Sequence, residues 1–150
     1  MRVLFTSQEN ARRSPMAEAL MRFLMPGVEV SSAGLVPAER TDPFTVIALR
    51  ERNIDLRGRS PLALTAEMLA AADVVVAIGV LAPSSLLPPG STIEWDVAGL
   101  AGQPLEAYRR ARFTIEGLVN GLIEDLVTFR RLQMQRKGGA DPFASYFPGR

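Results

Sequence analysis

Apolar and polar positions along the chain switch repeatedly between a strand-like and a helix-like rhythm. Val3-Leu4-Phe5, inside Arg2–Thr6, is a short continuous apolar run and reads as a buried strand. A polar loop, Ser7 to Ser14, follows it. Pro15 to about Met25 then carries Met16, Ala19, Leu20, Phe23 and Leu24 at helical spacing, with Ser14 as the expected N-cap, Pro15 at the first helical position and Pro26-Gly27 as the stop. Val28–Gly34 reads as a second strand entering a glycine turn. Asp42 caps a helix that opens on Pro43 and is expected to run to about Asn53. Thr65 caps a shorter one, Ala66–Ala72.

Asp73–Ile78 is unbroken and β-branched, the pattern of a central parallel strand covered on both faces. After a proline-rich connection, Ala82–Gly90, the stretch Ser91–Asp96 reads as the fourth strand. A loop, Val97–Gln103, leads to Pro104 and a long helix through Leu105, Tyr108, Ala111, Ile115, Leu118, Val119, Leu122, Ile123 and Leu126. Its periodicity holds to about Phe129 or Met134, and Gly138-Gly139 stops it. Residues 138–150, with Phe143, Tyr146 and Phe147, form a C-terminal tail beyond a domain of residues 1–137. Strand and helix alternate throughout, so the expected fold class is α/β, a three-layer sandwich with helices on both faces of a parallel sheet.

Composition narrows the chemistry more than it narrows the fold. At 150 residues with 47% hydrophobic and 22% charged positions, the chain has the balance of one ordinary globular domain. The net charge of +1 supplies no bulk attraction for nucleic acid or for a membrane surface. No apolar run approaches a membrane span, and the sequence enters a strand at once, so a cytoplasmic location without a signal peptide is expected. The chain contains no cysteine and no histidine. That excludes a thiolate nucleophile, a disulfide relay and a Ser-His-acid triad. It also removes the commonest metal ligand, and neither a metal nor a cofactor is expected.

The opening strand, loop and helix N-terminus form a device for holding an anion. Loop N–H groups can converge on one point, the helix end adds partial positive charge, and Arg13 can close the site with a planar fork. Asn10, Arg13, Ser14 and Pro15-Met16-Ala17-Glu18-Ala19 resemble the phosphate loop of the low-molecular-weight protein tyrosine phosphatases and the related thioredoxin-coupled arsenate reductases. Ser32-Ala33-Gly34 resembles the element that hydrogen-bonds to that loop in the family, and the resemblance continues through Asn53–Ser60 and covers about Arg2 to Met134. It implies a four-stranded parallel sheet of order 2-1-3-4 with residues 7–14 at the carboxyl end of the first strand. It implies anion contacts from Ser7, Gln8, Glu9, Asn10, Ala11, Arg12, Arg13 and Ser14, with Ser32 supporting the loop.

The departures from the family pattern bear on activity. Ser7 stands where the family has its nucleophilic cysteine, and Arg13 stands at the catalytic arginine position. Trp95-Asp96-Val97-Ala98-Gly99-Leu100 places Gly99 where the family has its general-acid Asp and Leu100 where that Asp is followed by Pro. The family's supporting histidine, expected around Arg59, is also missing. Glu9 inside the loop repels a dianion unless it points away or pairs with Arg12. The resulting expectation is a degenerate, inactive relative that binds phosphate, sulfate, arsenate-like anions or phosphorylated ligands weakly. Two alternatives stay open: an active phosphotyrosine phosphatase with an engineered Cys-to-Ser change at Ser7, and an interaction protein whose loop binds nothing. A homodimer is left open as well. Arsenate reduction is set aside for lack of a cysteine relay.

Overall fold

In a computed structural model, which describes residues 1–79 and 92–137, the elements follow the expected order. They are β1 (Arg2–Ser7), α1 (Arg13–Leu24), β2 (Glu29–Gly34), α2 (Pro43–Arg50), α3 (Ala66–Ala71), β3 (Val74–Ile78), β4 (Thr92–Trp95) and α4 (Leu105–Lys137). All strand pairs are parallel and the sheet order is β2-β1-β3-β4, as the resemblance implies. The proline-rich connection and the C-terminal tail lie outside the described residues.

The central position of β1 follows from its apolar run. Val3, Leu4 and Phe5 are all buried because side chains on both of its faces meet protein. Val3 and Phe5 join Val30, Val76, Ile78 and Trp95 in the main core, against Met16, Leu20 and Met21 of α1 and Ile115, Val119 and Ile123 of α4. The Phe5 and Trp95 rings pack with centroids 5.6 Å apart. On the other face, Leu4 borders a cleft shared with Met68 and Ala71 of α3.

Two helix boundaries differ from expectation, each for a local reason. Ser14 is not the N-cap of α1. The helix begins at Arg13, its cap residue Arg12 makes no side-chain capping bond, and the Ser14 hydroxyl is used inside the loop instead. Helix α2 ends at Arg50 because Asn53 turns left-handed at φ 61°. Asn53 N–H then donates to Arg50 O at 2.9 Å and Ile54 N–H to Leu49 O at 3.0 Å, the paired bonds of a Schellman stop. Helix α4 is described for 33 residues to Lys137, as far as the expected stop at Gly138-Gly139, with Phe129 and Leu132 exposed near its end. The expected caps hold at the other two starts: Asp42 Oδ1 accepts from Phe44 N–H at 2.8 Å, and Thr65 Oγ1 accepts from Met68 N–H at 3.1 Å.

This framework puts the β1–α1 loop at the carboxyl edge of the sheet, where open α/β sheets hold their ligands. Each flanking segment then reaches back to it.

Candidate functional site

The loop of residues 8–12 is held by its carbonyls. Leu35 N–H donates to Ser7 O at 3.2 Å, Val36 N–H to Gln8 O at 2.8 Å and Ala38 N–H to Glu9 O at 2.9 Å. Asp42 N–H and Thr45 Oγ1 both donate to Ala11 O, at 3.0 and 3.2 Å. The backbone N–H groups from Gln8 to Ser14 reach no acceptor among the described residues. A run of unpaired donors at a helix N-terminus has the geometry to accept an anion. Residues Ser7 through Arg13, with Gly99, Leu100 and Ala101, line a cavity of about 180 Å³.

Asn10 carries the loop's conformation. Its φ is 53°, a left-handed value that Asn tolerates better than most residues. Its fully buried side-chain amide spends both ends: Nδ2 donates to Ser14 Oγ at 2.8 Å and Ser32 Oγ at 2.9 Å, and Oδ1 accepts from Leu62 N–H at 2.9 Å. Ser14 Oγ lies 2.6 Å from the buried Ser7 Oγ, so a chain of hydroxyls links Asn10 to Ser7. Gly34 lets β2 approach. A Cβ there would sit 2.8 Å from Asn10 N and 2.9 Å from the Glu9 carbonyl carbon.

Sequence reading missed the cation behind this network. Arg59 Nη2 donates to Asn10 Oδ1 at 3.0 Å, to Ser32 Oγ at 2.5 Å and to Glu18 Oε1 at 3.3 Å. Ser32 Oγ in turn donates to the buried Glu18 at 2.7 Å, and Arg22 reaches the other Glu18 oxygen at 3.0 Å. The signal was present in the register of Arg59 with the missing family histidine. What one sequence does not reveal is that Arg59 is anchored on Glu18, a carboxylate from α1.

The two loop arginines have different tasks. Arg12 Nη1 pairs with Glu9 at 2.6 Å and Arg12 Nε with Asp42 at 2.9 Å. Burial works against its charge, yet the bonds to Glu9 and Asp42 outweigh this and hold its pKa above the usual arginine value. Tyr108 of α4 donates to the same Asp42 oxygen at 2.9 Å, and burial, then Asp42, push its phenol upward. Glu9 is thus paired with Arg12, while its side chain stays 46% exposed. Arg13 is half-buried and has no carboxylate partner among the described residues. Burial and then the neighbouring Arg12 charge lower its pKa. Arg13 Nη1 donates to Val97 O at 2.7 Å, leaving Nε and Nη2 without a described partner.

Around Ser7 the chemistry is sparse. Ser14 is the only side chain hydrogen-bonded to its hydroxyl among the described residues, and no base touches it. Gly99 lines the cavity with open space where a side chain would project. Among the described residues no cluster of three or more acidic side chains could hold a metal ion, and no helix is long and apolar enough to cross a membrane.

Comparison with known proteins agrees with this geometry. Residues 2–94 match the family described as low molecular weight phosphotyrosine protein phosphatase. A protein-arginine-phosphatase of Geobacillus stearothermophilus is 33% identical, over 85% of this chain and 97% of its own. Among solved structures, a cysteine-to-serine mutant of the YwlE arginine phosphatase with a phosphorylated active-site serine superposes at a TM-score of 0.78, with 28% identity over 88% of this chain and 99% of its own. An arsenate reductase in its oxidised state gives 0.71, with 29% identity over 83% of this chain and 97% of its own. The chain belongs to the low-molecular-weight phosphotyrosine protein phosphatase family.

Proposed function

We propose that this protein is a cytoplasmic phosphatase-family member without turnover, which holds phosphate-like oxyanions or phosphorylated ligands in the loop of residues 7–14. The observation that carries this is the unpaired row of N–H donors from Gln8 to Ser14, beside an Arg13 with Nε and Nη2 uncommitted. Binding is weak because the carboxylates of Glu9 and Asp42 together offset the charges of Arg12 and Arg13.

Turnover is lost at two points. Ser7 Oγ meets only another hydroxyl, so nothing removes its proton as it attacks phosphorus. Gly99 offers no acid to protonate the leaving atom. Phosphoarginine is the favoured ligand class, since the similarity to a protein-arginine-phosphatase covers 85% of this chain and 97% of that protein.

Titration with phosphate, phosphoarginine and phosphotyrosine tests the binding half: millimolar-range affinity that falls on Arg13→Ala is expected. No binding at that range, unchanged by Arg13→Ala, removes the cradle. Hydrolysis of an aryl phosphate or phosphoarginine tests the catalytic half. Robust neutral-pH turnover by Ser7→Cys alone would sink the inactive reading and leave Ser7 as a replaced cysteine in a complete enzyme.

A second reading draws on the relative whose active-site serine is phosphorylated. Ser7 would take a phosphoryl group once: its Oγ–P bond forms, the donor's P–N or P–O bond breaks, and the hydroxyl proton leaves with the departing group. With no base to activate water, the phosphoserine stays. Mass spectrometry after incubation with a phosphoramidate distinguishes this from simple binding, by one added phosphoryl group on Ser7.

A further inference from the structure

We propose that Gly79, at the end of β3, is a positioning residue for the anion-binding arginine, forming with Val97 O a notch that holds Arg13 in its working orientation. The proposal deepens the reading of the loop as an oxyanion cradle and rests on it.

The notch is defined by what a side chain would displace. A Cβ at residue 79 would lie 1.9 Å from Arg13 Nη1, 3.0 Å from Arg13 Cζ and 3.0 Å from Val97 O. No carbon atom fits at 1.9 Å from a nitrogen it is not bonded to, so a methyl group there must move the guanidinium off the Val97 carbonyl. The backbone makes the same demand: residue 79 has φ 59°, the left-handed region that glycine adopts freely.

Both walls of the notch are fixed by the sheet. Gly79 N–H donates to Trp95 O at 2.9 Å, extending the β3–β4 ladder by one bond beyond Ile78. Val97 lies two residues beyond Trp95 and is buried. Val97 O accepts Arg13 Nη1 at 2.7 Å. The end of β3 and the end of β4 therefore grip one edge of the guanidinium.

The consequence concerns which donors remain. With Nη1 committed, Nε and Nη2 form the free edge, the two parallel N–H groups that match two oxygens of a phosphate. Arginine has many rotamers, and a notch that selects one removes the entropy of ordering it at the moment of binding. In the sequence Gly79 follows an apolar strand and reads as an ordinary turn glycine. It belongs to the site only because the sheet places it against Arg13, a residue distant in the chain.

The test is a double-mutant cycle on phosphate binding, with thermal unfolding of every variant. Arg13→Ala is expected to weaken phosphate binding about tenfold or more. Gly79→Ala is expected to weaken it by a comparable factor. The double variant should bind no more weakly than Arg13→Ala alone and should unfold at a higher temperature than Gly79→Ala, because the clash is gone. Gly79→Asn keeps the left-handed backbone accessible and should lose binding in the same way if alanine fails to fold. Phosphate binding by Gly79→Ala or Gly79→Asn equal to that of the unmodified protein overturns the proposal, as do losses that multiply in the double variant. If the unmodified protein itself binds no phosphate, the cradle reading fails and the notch is judged separately, from the Arg13 Nη1–H resonances, the group bonded to Val97 O. A resolved, slowly exchanging signal that collapses in Gly79→Ala supports it, and an unchanged signal overturns it.

Discussion

Two walls of one cavity have kept different things. The β1–α1 wall retains a complete structural solution: a left-handed Asn10 with every amide group bonded, a buried hydroxyl chain to Ser7, and Arg59 on Glu18 behind it. The facing wall, Gly99 to Ala101, retains position without chemistry: it lines the cavity and brings no ionisable group. Binding an anion needs converging donors, which backbone supplies whatever the side chains are. Breaking a phosphoester needs particular side chains at particular points. The two abilities can therefore be lost independently, and the proposed reading is that this protein keeps the first without the second.

The largest effect expected from altering this contrast is on rate. Restoring both missing groups, Ser7→Cys with Gly99→Asp, should give measurable hydrolysis of an aryl phosphate. Adding Gly99→Asp to Ser7→Cys should raise kcat by about 10²–10⁴, the usual worth of a positioned general acid. The open space at Gly99 admits the new side chain without a clash. No gain from the acid would mean that the wall has lost its position too.

Next is the loop's support. Asn10→Ala removes bonds to Ser14, Ser32, Arg59 and Leu62 and puts alanine at φ 53°. A loss of about 2–4 kcal/mol in urea unfolding is expected, since buried partners are left unpaired and the backbone is strained, and phosphate binding should vanish with it.

A smaller change should come from Glu9→Gln. Removing an exposed carboxylate from the rim and releasing Arg12 should tighten phosphate binding by about 0.5–1 kcal/mol at low ionic strength, and titrations in high salt should erase the gain.

The smallest effect lies away from the cavity and serves as the control. Hydrogen bonds from Arg109 and then Arg112 hold the Glu51 carboxyl down to about 2, from an ordinary value of 4.5. A depressed carboxylate stabilises the fold above its unfolded pKa and loses that contribution as pH falls through its folded one. Thermal midpoints of Glu51→Gln should therefore show a shallower acid slope than the unmodified protein between about pH 4.5 and 2. Phosphate binding at neutral pH should not change.

Local signals carried much of this molecule. The caps Asp42 and Thr65, the unbroken run into Ile78 and the loop from Ser7 to Ser14 were legible because each depends on neighbours in the chain. The Ser14 cap failed for a reason of the opposite kind. Serine suits a helix start, yet Ser7 and Asn10 compete for its hydroxyl once the loop is closed. The stop at Asn53 was misplaced because a positive φ at asparagine is permitted by sequence and selected by the packing around it.

By itself, the sequence determined that the protein has alternating α/β elements, that a polar loop joins the first strand to a helix N-terminus, and that neither a thiolate nor an imidazole is available to it. Those are properties of composition and of short-range periodicity. Tertiary structure alone decided that Arg59 and Glu18 brace Asn10, that Glu9 is paired with Arg12, and that Arg13 lies against Gly79 with Val97 O as its acceptor. Those contacts join residues far apart in the chain, and their energies depend on distances that only the closed sheet, with β1 between β2 and β3, brings within hydrogen-bonding range.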